Sequence, residues 1–254
     1  PSPGLRSGTR IRNGPGRFTA GGQRVNHWFD GLAMLRRYAF DDGAVRYSNR
    51  LLRTEAYADA EAGRLTGQFG TDTRGWRRLI STLRSAGLPE PTDNANVHVA
   101  RIDGEYVALT EAPRRIAFDP ETLATRGVFS LDDCFTRRIT AAHLVDDPHN
   151  GELIGFATQF GLQPQYHIYR IKNEHRTRAR TASTPAYGPA YIHDRRVTDQ
   201  HVLMVESPLT PSRLHPLTPI SAASPQFPQS NPQQPARLSP LRRHHRAAVP
   251  SPPV

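Results

Sequence analysis

Short apolar runs of strand length, separated by turn residues, make up most of the chain. Ala33 to Phe40 and Ala44 to Arg53 flank Asp41-Asp42-Gly43, and Val97 to Arg101 and Tyr106 to Thr110 flank Ile102-Asp103-Gly104-Glu105. An Asp-Gly pair between two such runs predicts a hairpin, because a tight turn needs positive φ and Gly accepts it without steric cost. Further runs are Arg115 to Phe118, Ile139 to Ala142, Leu153 to Phe160, Tyr166 to Ile171 and His201 to Glu206. Spaced by roughly 8 to 15 residues, they predict an all-β sandwich, barrel or propeller. Asp119-Pro120-Glu121-Thr122 and Asp147-Pro148-His149-Asn150-Gly151 read as turns between adjacent strands.

One segment has a different period. In Arg74 to Ala86 the apolar residues Trp76, Leu79, Ile80, Leu83 and Ala86 recur at helical spacing, and Gly87, Pro89 and Pro91 stop the pattern. This predicts one amphipathic helix inserted between strands and packed on a sheet. Its polar face carries Arg77, Arg78 and Arg84, so a helix lying on a membrane surface is the other reading. Asn13-Gly14-Pro15-Gly16 lacks the lysine of a phosphate loop and reads as a turn at a sheet edge.

Charge divides the chain in two. The 254 residues carry 33 Lys and Arg against 23 Asp and Glu, a net +10. Residues 210–254 hold five Arg, no acid, no Gly and eleven of the 23 Pro, so half of the excess sits there and residues 1–209 carry only +5. The expected organisation is a folded domain over 1–209 and a low-complexity, disordered tail over 210–254, too poor in apolar surface to offset its ordering entropy. The single lysine, Lys172, marks an arginine-biased sequence, so basicity carries little weight as a sign of nucleic-acid binding; no basic–aromatic motif accompanies it, and no nucleic-acid partner is expected. No run approaches the ~18 to 20 apolar residues of a membrane span, and no secretory leader pattern is visible. With Cys134 alone, the sequence has neither an internal disulfide nor a CxxC metal site, and the expected location is cytoplasmic.

Histidine is the remaining lead. Of eleven, His143 and His193 have the most sheltered contexts: His143 ends the run Ile139-Thr140-Ala141-Ala142, and His193 follows Pro189-Ala190-Tyr191-Ile192. An unprotonated imidazole is the usual metal ligand, and an imidazole set without thiolate suits Fe, Zn or Cu. A two-His, one-carboxylate triad is disfavoured because His143-Leu144-Val145-Asp146 is one residue too long for the usual His-x-Asp. A ligating His usually gives its second ring nitrogen to a carboxylate. Glu111, closing the apolar run Tyr106 to Thr110, is a candidate for that role; alternatively it pairs with Arg114 or Arg115 at the surface.

Taken together, these phrases resemble the carotenoid cleavage oxygenases, the family of the retinal pigment epithelium membrane protein. Arg12-Asn13-Gly14-Pro15-Gly16 and His27-Trp28-Phe29-Asp30-Gly31 resemble the family's N-terminal signature. Asp93-Asn94-Ala95-Asn96-Val97, Ala108-Leu109-Thr110-Glu111 and Phe118-Asp119-Pro120-Glu121-Thr122-Leu123 follow in family order. So do Thr140-Ala141-Ala142-His143 with Asp147-Pro148 and Gly151-Glu152-Leu153, then Pro189-Ala190-Tyr191-Ile192-His193-Asp194 with Thr198 and Val205-Glu206-Ser207-Pro208. The resemblance covers about residues 8–209 and corresponds to the N-terminal half of the family's fold.

The resemblance implies a seven-bladed β-propeller with Fe(2+) on its axis, held by four His. The implied reaction is oxidative cleavage by O2 of a C=C bond in a carotenoid or apocarotenoid, giving two carbonyl products. His143 and His193 would be two of the iron ligands and Glu111 a carboxylate orienting one iron-bound His, most plausibly His193. The family's apolar patch implies peripheral contact with a membrane, to which the helix of Arg74 to Ala86 would belong. Two departures stand out. The positions after His193-Asp194, expected to be aromatic or small, are Arg195 and Arg196, and two such cations beside an iron site are expected to point outward. No residue of this chain matches the other two His ligands. The expectation is therefore a partial propeller, truncated and inactive as it stands, with a non-catalytic binding module as the alternative.

Overall fold

The computed structural model describes residues 7–25, 27–65, 92–111, 114–132, 138–159, 163–186, 192, 195–206, 209–210, 229–230 and 237–242. The chain divides into two compact units, Pro1–Ser130 with Thr218–Pro225, and Leu131–Leu217 with Gln226–Val254. The expected amphipathic helix of Arg74 to Ala86 lies outside the described residues.

The first unit contains β1 (Gly8–Arg17), β2 (Thr19–Ala20), β3 (Gln23–Arg24), β4 (Leu32–Asp41), β5 (Ala44–Leu51), helix α1 (Glu55–Glu61), β6 (His98–Ile102), β7 (Glu105–Leu109), β8 (Arg115–Phe118) and β9 (Thr125–Phe129). β1, β4 and β5 form one antiparallel sheet, β6 to β9 a four-stranded meander, and β2 and β3 a short ribbon. Both expected hairpins form with two-residue loops. Asp42 and Gly43 take φ of 40° and 80°, and Asp103 and Gly104 take 50° and 75°, the left-handed pairs whose twist matches the flanking strands. Asp119 to Thr122 lies between the paired strands β8 and β9, as the turn reading expects. The core gathers Leu35, Leu52, Ala108, Ile116, Phe118 and Leu123; burying a side chain the size of Phe118 contributes about 1.5–3 kcal/mol.

Two local readings differ from the structure. Asn13-Gly14-Pro15-Gly16 is not a turn but the second half of β1, with Gly14 opposite Met34 and Pro15 opposite Ala33. β1 is an edge strand, where proline's missing N–H costs no ladder bond, and a Cβ on Gly16 would overlap the Met34 side chain. The described residues also contain α1, for which the sequence carries no periodic signal. Its seven residues are too few to show one, and part of its N-terminal capping comes from far away: Thr54 accepts from Tyr57 N, while the Asp93 carboxylate accepts from Glu55 N and Ala56 N.

The second unit contains β10 (Arg138–Thr140), β11 (Val145–Asp147), β12 (Glu152–Gln159), β13 (Gln165–Lys172), β14 (Arg178–Pro185), β15 (Arg195–Val197), β16 (His201–Glu206), β17 (Leu209–Thr210), β18 (Gln229–Ser230) and β19 (Arg237–Arg242). β12 is the centre of its sheet. It pairs along its length with β13 on one side, and with β11 then β10 on the other, and is buried over nearly its whole length. Gly155 faces Tyr169 across the register, and a Cβ there would overlap the tyrosine ring. Asp147 to Gly151 joins β11 to β12, again a turn between adjacent strands.

β14 is largely polar and exposed, which explains why no apolar run announces it. β15, β16 and β19 form a separate sheet. Within the segment set apart as a disordered tail, Arg237–Arg242 pairs antiparallel with β16, Leu238 opposite Val205 and Leu241 opposite Val202. β15 takes one edge of β16 and β19 the other, so the ordering comes from an available ladder rather than from local composition.

Candidate metal centre

His143 sits in the short segment between β10 and β11, half-buried, directly after the buried Ala141 and Ala142. Two backbone anchors hold this segment. Ala141 N donates to Phe156 O on β12 at 3.0 Å, and the His143 carbonyl accepts from the Arg195 guanidinium at 2.6 Å. Arg195 opens β15, and its position corrects the expectation that it points outward. It is 2% exposed, also donates to the Ile154 carbonyl, and lies over the Phe156 ring at 5.5 Å from the centroid. The two carbonyls, both bonded by Nη2, and the aromatic face offset part of the guanidinium's lost hydration. Arg196 is exposed, as expected of both.

His193 and Cys134 lie outside the described residues, although Ile192, beside His193, is buried. Glu111 is half-buried just after β7, in the first unit. Arg114, one of the two surface partners expected for it, donates to Glu55 at 2.6 Å. Among the described residues no three His, Cys, Asp or Glu side chains gather as a metal cluster. Asp146 is exposed, and the Asp147 carboxylate accepts from Asn150 Nδ2 at 2.8 Å. His167 is deeply buried, with Nδ1 at 2.8 Å from Ser183 Oγ and Nε2 at 3.0 Å from Gln159 Oε1; both ring nitrogens are committed within the β12–β13–β14 sheet. Among the described histidines, His143 combines shelter, small neighbours and a fixed backbone, and an imidazole so held fits a nitrogen donor set of the kind that suits Fe, Zn or Cu.

The sequence reasoning missed Arg195. Its signal was present as a mismatch, a cation where an aromatic or small residue was expected, but burial of its side chain is a tertiary fact.

The fold is that of an all-antiparallel β protein whose near neighbours are oxygenases. An apocarotenoid oxygenase variant from Synechocystis superposes with a TM-score of 0.72 at 24% identity over 94% of this chain and 50% of its own. A structure described as cobalt-substituted Synechocystis ACO gives 0.75 at 23% identity over 94% and 52%. Among curated sequences, the Rattus norvegicus β,β-carotene 15,15'-dioxygenase is 30% identical over 234 residues, 81% of this chain and 40% of that protein. Carotenoid cleavage dioxygenase 8 of Arabidopsis thaliana is 31% identical over 226 residues, 80% and 38%. Residues 3–252 match the family of the retinal pigment epithelial membrane protein, and the chain belongs to that family. It spans about 40% of the length of the curated relatives it matches. The family match runs through most of the segment that composition alone set apart after residue 209. Among the described residues no helix is long and apolar enough to cross a membrane.

Proposed function

We propose that this chain is part of a non-haem Fe(II)-dependent dioxygenase that cleaves a C=C bond of a carotenoid or apocarotenoid into two carbonyl products. In this reading its sheets are blades of a seven-bladed β-propeller, His143 and His193 are two iron ligands, and Glu111 orients an iron-bound imidazole. The observation that carries it is the anchoring of His143: the residue two positions after His193 reaches its carbonyl through a buried guanidinium. When bound, Fe(II) supplies the one-electron chemistry that lets O2 react with a conjugated double bond. The chain's own part is to hold neutral imidazoles in a sheltered place. A polyene has no polar handle, so its selection falls to apolar surface.

With two of the four His that the resemblance implies, the 254-residue polypeptide is expected to bind Fe(II) weakly and not to turn over. Anaerobic Fe(II) titration of the purified chain, followed by aldehyde analysis after adding β-carotene and O2, tests this. His143→Ala and His193→Ala should each weaken Fe(II) uptake by about 10-fold or more. Uptake unchanged in both variants refutes the ligand assignment, and aldehyde from the wild-type chain at one iron per chain refutes its inactivity.

A further inference from the structure

The structure assigns Arg195 a role that no resemblance supplies: we infer that it is the positioning residue that aims His143 at the metal. The inference rests on the reading of His143 as a ligand and concerns how that ligand is held. His143 lies on a connection between two three-residue strands. Its aim depends on the backbone at the residue itself. The Ala141 N–H bond to Phe156 O fixes the approach, and the Arg195 bond to the His143 carbonyl fixes the exit. A second bond from the same guanidinium nitrogen to Ile154 O, and the Phe156 ring beneath it, lock the guanidinium to β12. One side chain thus ties together the segment that follows His193, the loop that carries His143, and the central strand of the sheet.

Charge alone argues the other way. A buried cation near a metal ion repels it, so a chain gains nothing electrostatically from arginine at this position. The geometry gives the arginine its purpose: one guanidinium nitrogen reaches both carbonyls while the planar group lies over the Phe156 ring. Lysine presents a point charge on a flexible stem and has no planar group to lay on that ring.

The two effects have opposite signs, which makes them separable. Co(II) titration of the full 254-residue chain reads affinity, and the Co(II) ligand-field spectrum reads coordination. Paramagnetic broadening of the His143 ring protons reads its approach to the metal. Far-UV circular dichroism checks that each variant keeps its sheets. Arg195→Lys, which keeps the charge, and Arg195→Met, which removes it, should both weaken Co(II) binding by about 10-fold and reduce the broadening at His143. Unchanged or tighter binding in a folded Arg195→Met chain, or wild-type affinity in Arg195→Lys, overturns the positioning role. His143→Ala is the reference: if it abolishes binding while the Arg195 variants bind as wild type, the inference falls and the ligand assignment stands. If His143→Ala binds Co(II) as well as wild type, the ligand assignment falls and this inference with it; a wild-type chain that binds none overturns this inference alone.

Discussion

The two units hold their family phrases in place by opposite means. In the first, a cluster of neutral amides stitches distant backbone together. Asn94 Nδ2 donates to Gly31 O at 3.0 Å while its Oδ1 accepts from Ala33 N at 2.9 Å, and Asn96 Nδ2 donates to Phe29 O and Gly31 O at 2.7 and 2.8 Å. Asn13 Nδ2 reaches Ala95 O and His98 O at 2.7 and 3.1 Å, and the neighbouring Asp93 caps α1. The N-terminal signature, the Trp28-Phe29-Asp30 turn and the Asp93-to-Asn96 segment are therefore one structural knot. In the second unit the side-chain anchoring around His143 comes from a buried cation, beside the Ala141 N to Phe156 O backbone bond. Neutral amides can be buried cheaply once bonded, and several share the task. A guanidinium costs more to desolvate and concentrates the task in one residue. Shared phrases are thus held by several bonded amides in one unit and by a buried guanidinium in the other.

The largest expected effect comes from dismantling the knot. Asn94→Ala leaves the buried Ala33 N–H without its side-chain acceptor, a loss of about 2 kcal/mol. Gly31 O keeps one donor in either single variant because Asn94 and Asn96 share it. The double variant Asn94→Ala/Asn96→Ala should therefore lose more than the sum of the singles, about 4 kcal/mol or more in all. Amide hydrogen exchange reads each unit by itself, with β4 reporting on the first and β12 on the second. Equal loosening of β12 and β4 would break the comparison, because the knot would then not be local to its unit.

A smaller effect tests whether Asp93 belongs to the knot or merely caps the helix. Asp93→Asn keeps an acceptor oxygen but removes the charge from the first turn of α1 and one of two acceptors, at a cost of about 1 kcal/mol. If protection is lost only in Glu55–Glu61, Asp93 acts as a cap. If β4 loosens as well, the carboxylate is part of the stitch.

What was legible in the chain follows from how local each cause is. The Asp-Gly hairpins are settled by two backbone angles, and they appear at the expected loops. The Asp119 and Asp147 turns are likewise local. Helix α1 is not, because the carboxylate that completes its cap lies 37 and 38 residues from the amides it accepts. The Asn13-to-Gly16 phrase misleads because Gly and Pro signal turns on average, whereas here Gly16 makes room for Met34 on an edge strand. β19 owes its order to the open edge of β16, and β14 is too polar to announce itself. For the site, the sheltered context of His143 was readable from Ala141 and Ala142, but the inward Arg195 was not: its carbonyl partners lie 41 and 52 residues away.

The smallest effect separates the two acidic turns. Asp119 Oδ1 accepts from Glu121 N at 3.0 Å, Thr122 N at 2.9 Å and Thr122 Oγ1 at 3.0 Å, and Oδ2 accepts from Arg126 at 2.8 Å. These bonds, the Thr122 backbone amide first and the Arg126 side chain next, lower its pKa from 3.8 to about 2. A lowered carboxylate favours the folded turn when ionised, so its contribution is fully present above the unfolded value of 3.8 and is lost as pH falls through about 2. The Glu121 and Thr122 amide resonances should titrate with a midpoint near that lower value. Arg126→Gln should move the midpoint upward, and Asp119→Asn should remove the step. In the second unit the Asp147 carboxylate accepts from the Asn150 side chain, whereas the Asp119 carboxylate accepts from the amides of its own turn. A Thr122 amide that stays flat across the window in the wild-type chain would show that the Asp119 turn is held by its backbone alone, by the Leu123 N to Asp119 O and Asp119 N to Ala124 O bonds, both at 2.8 Å.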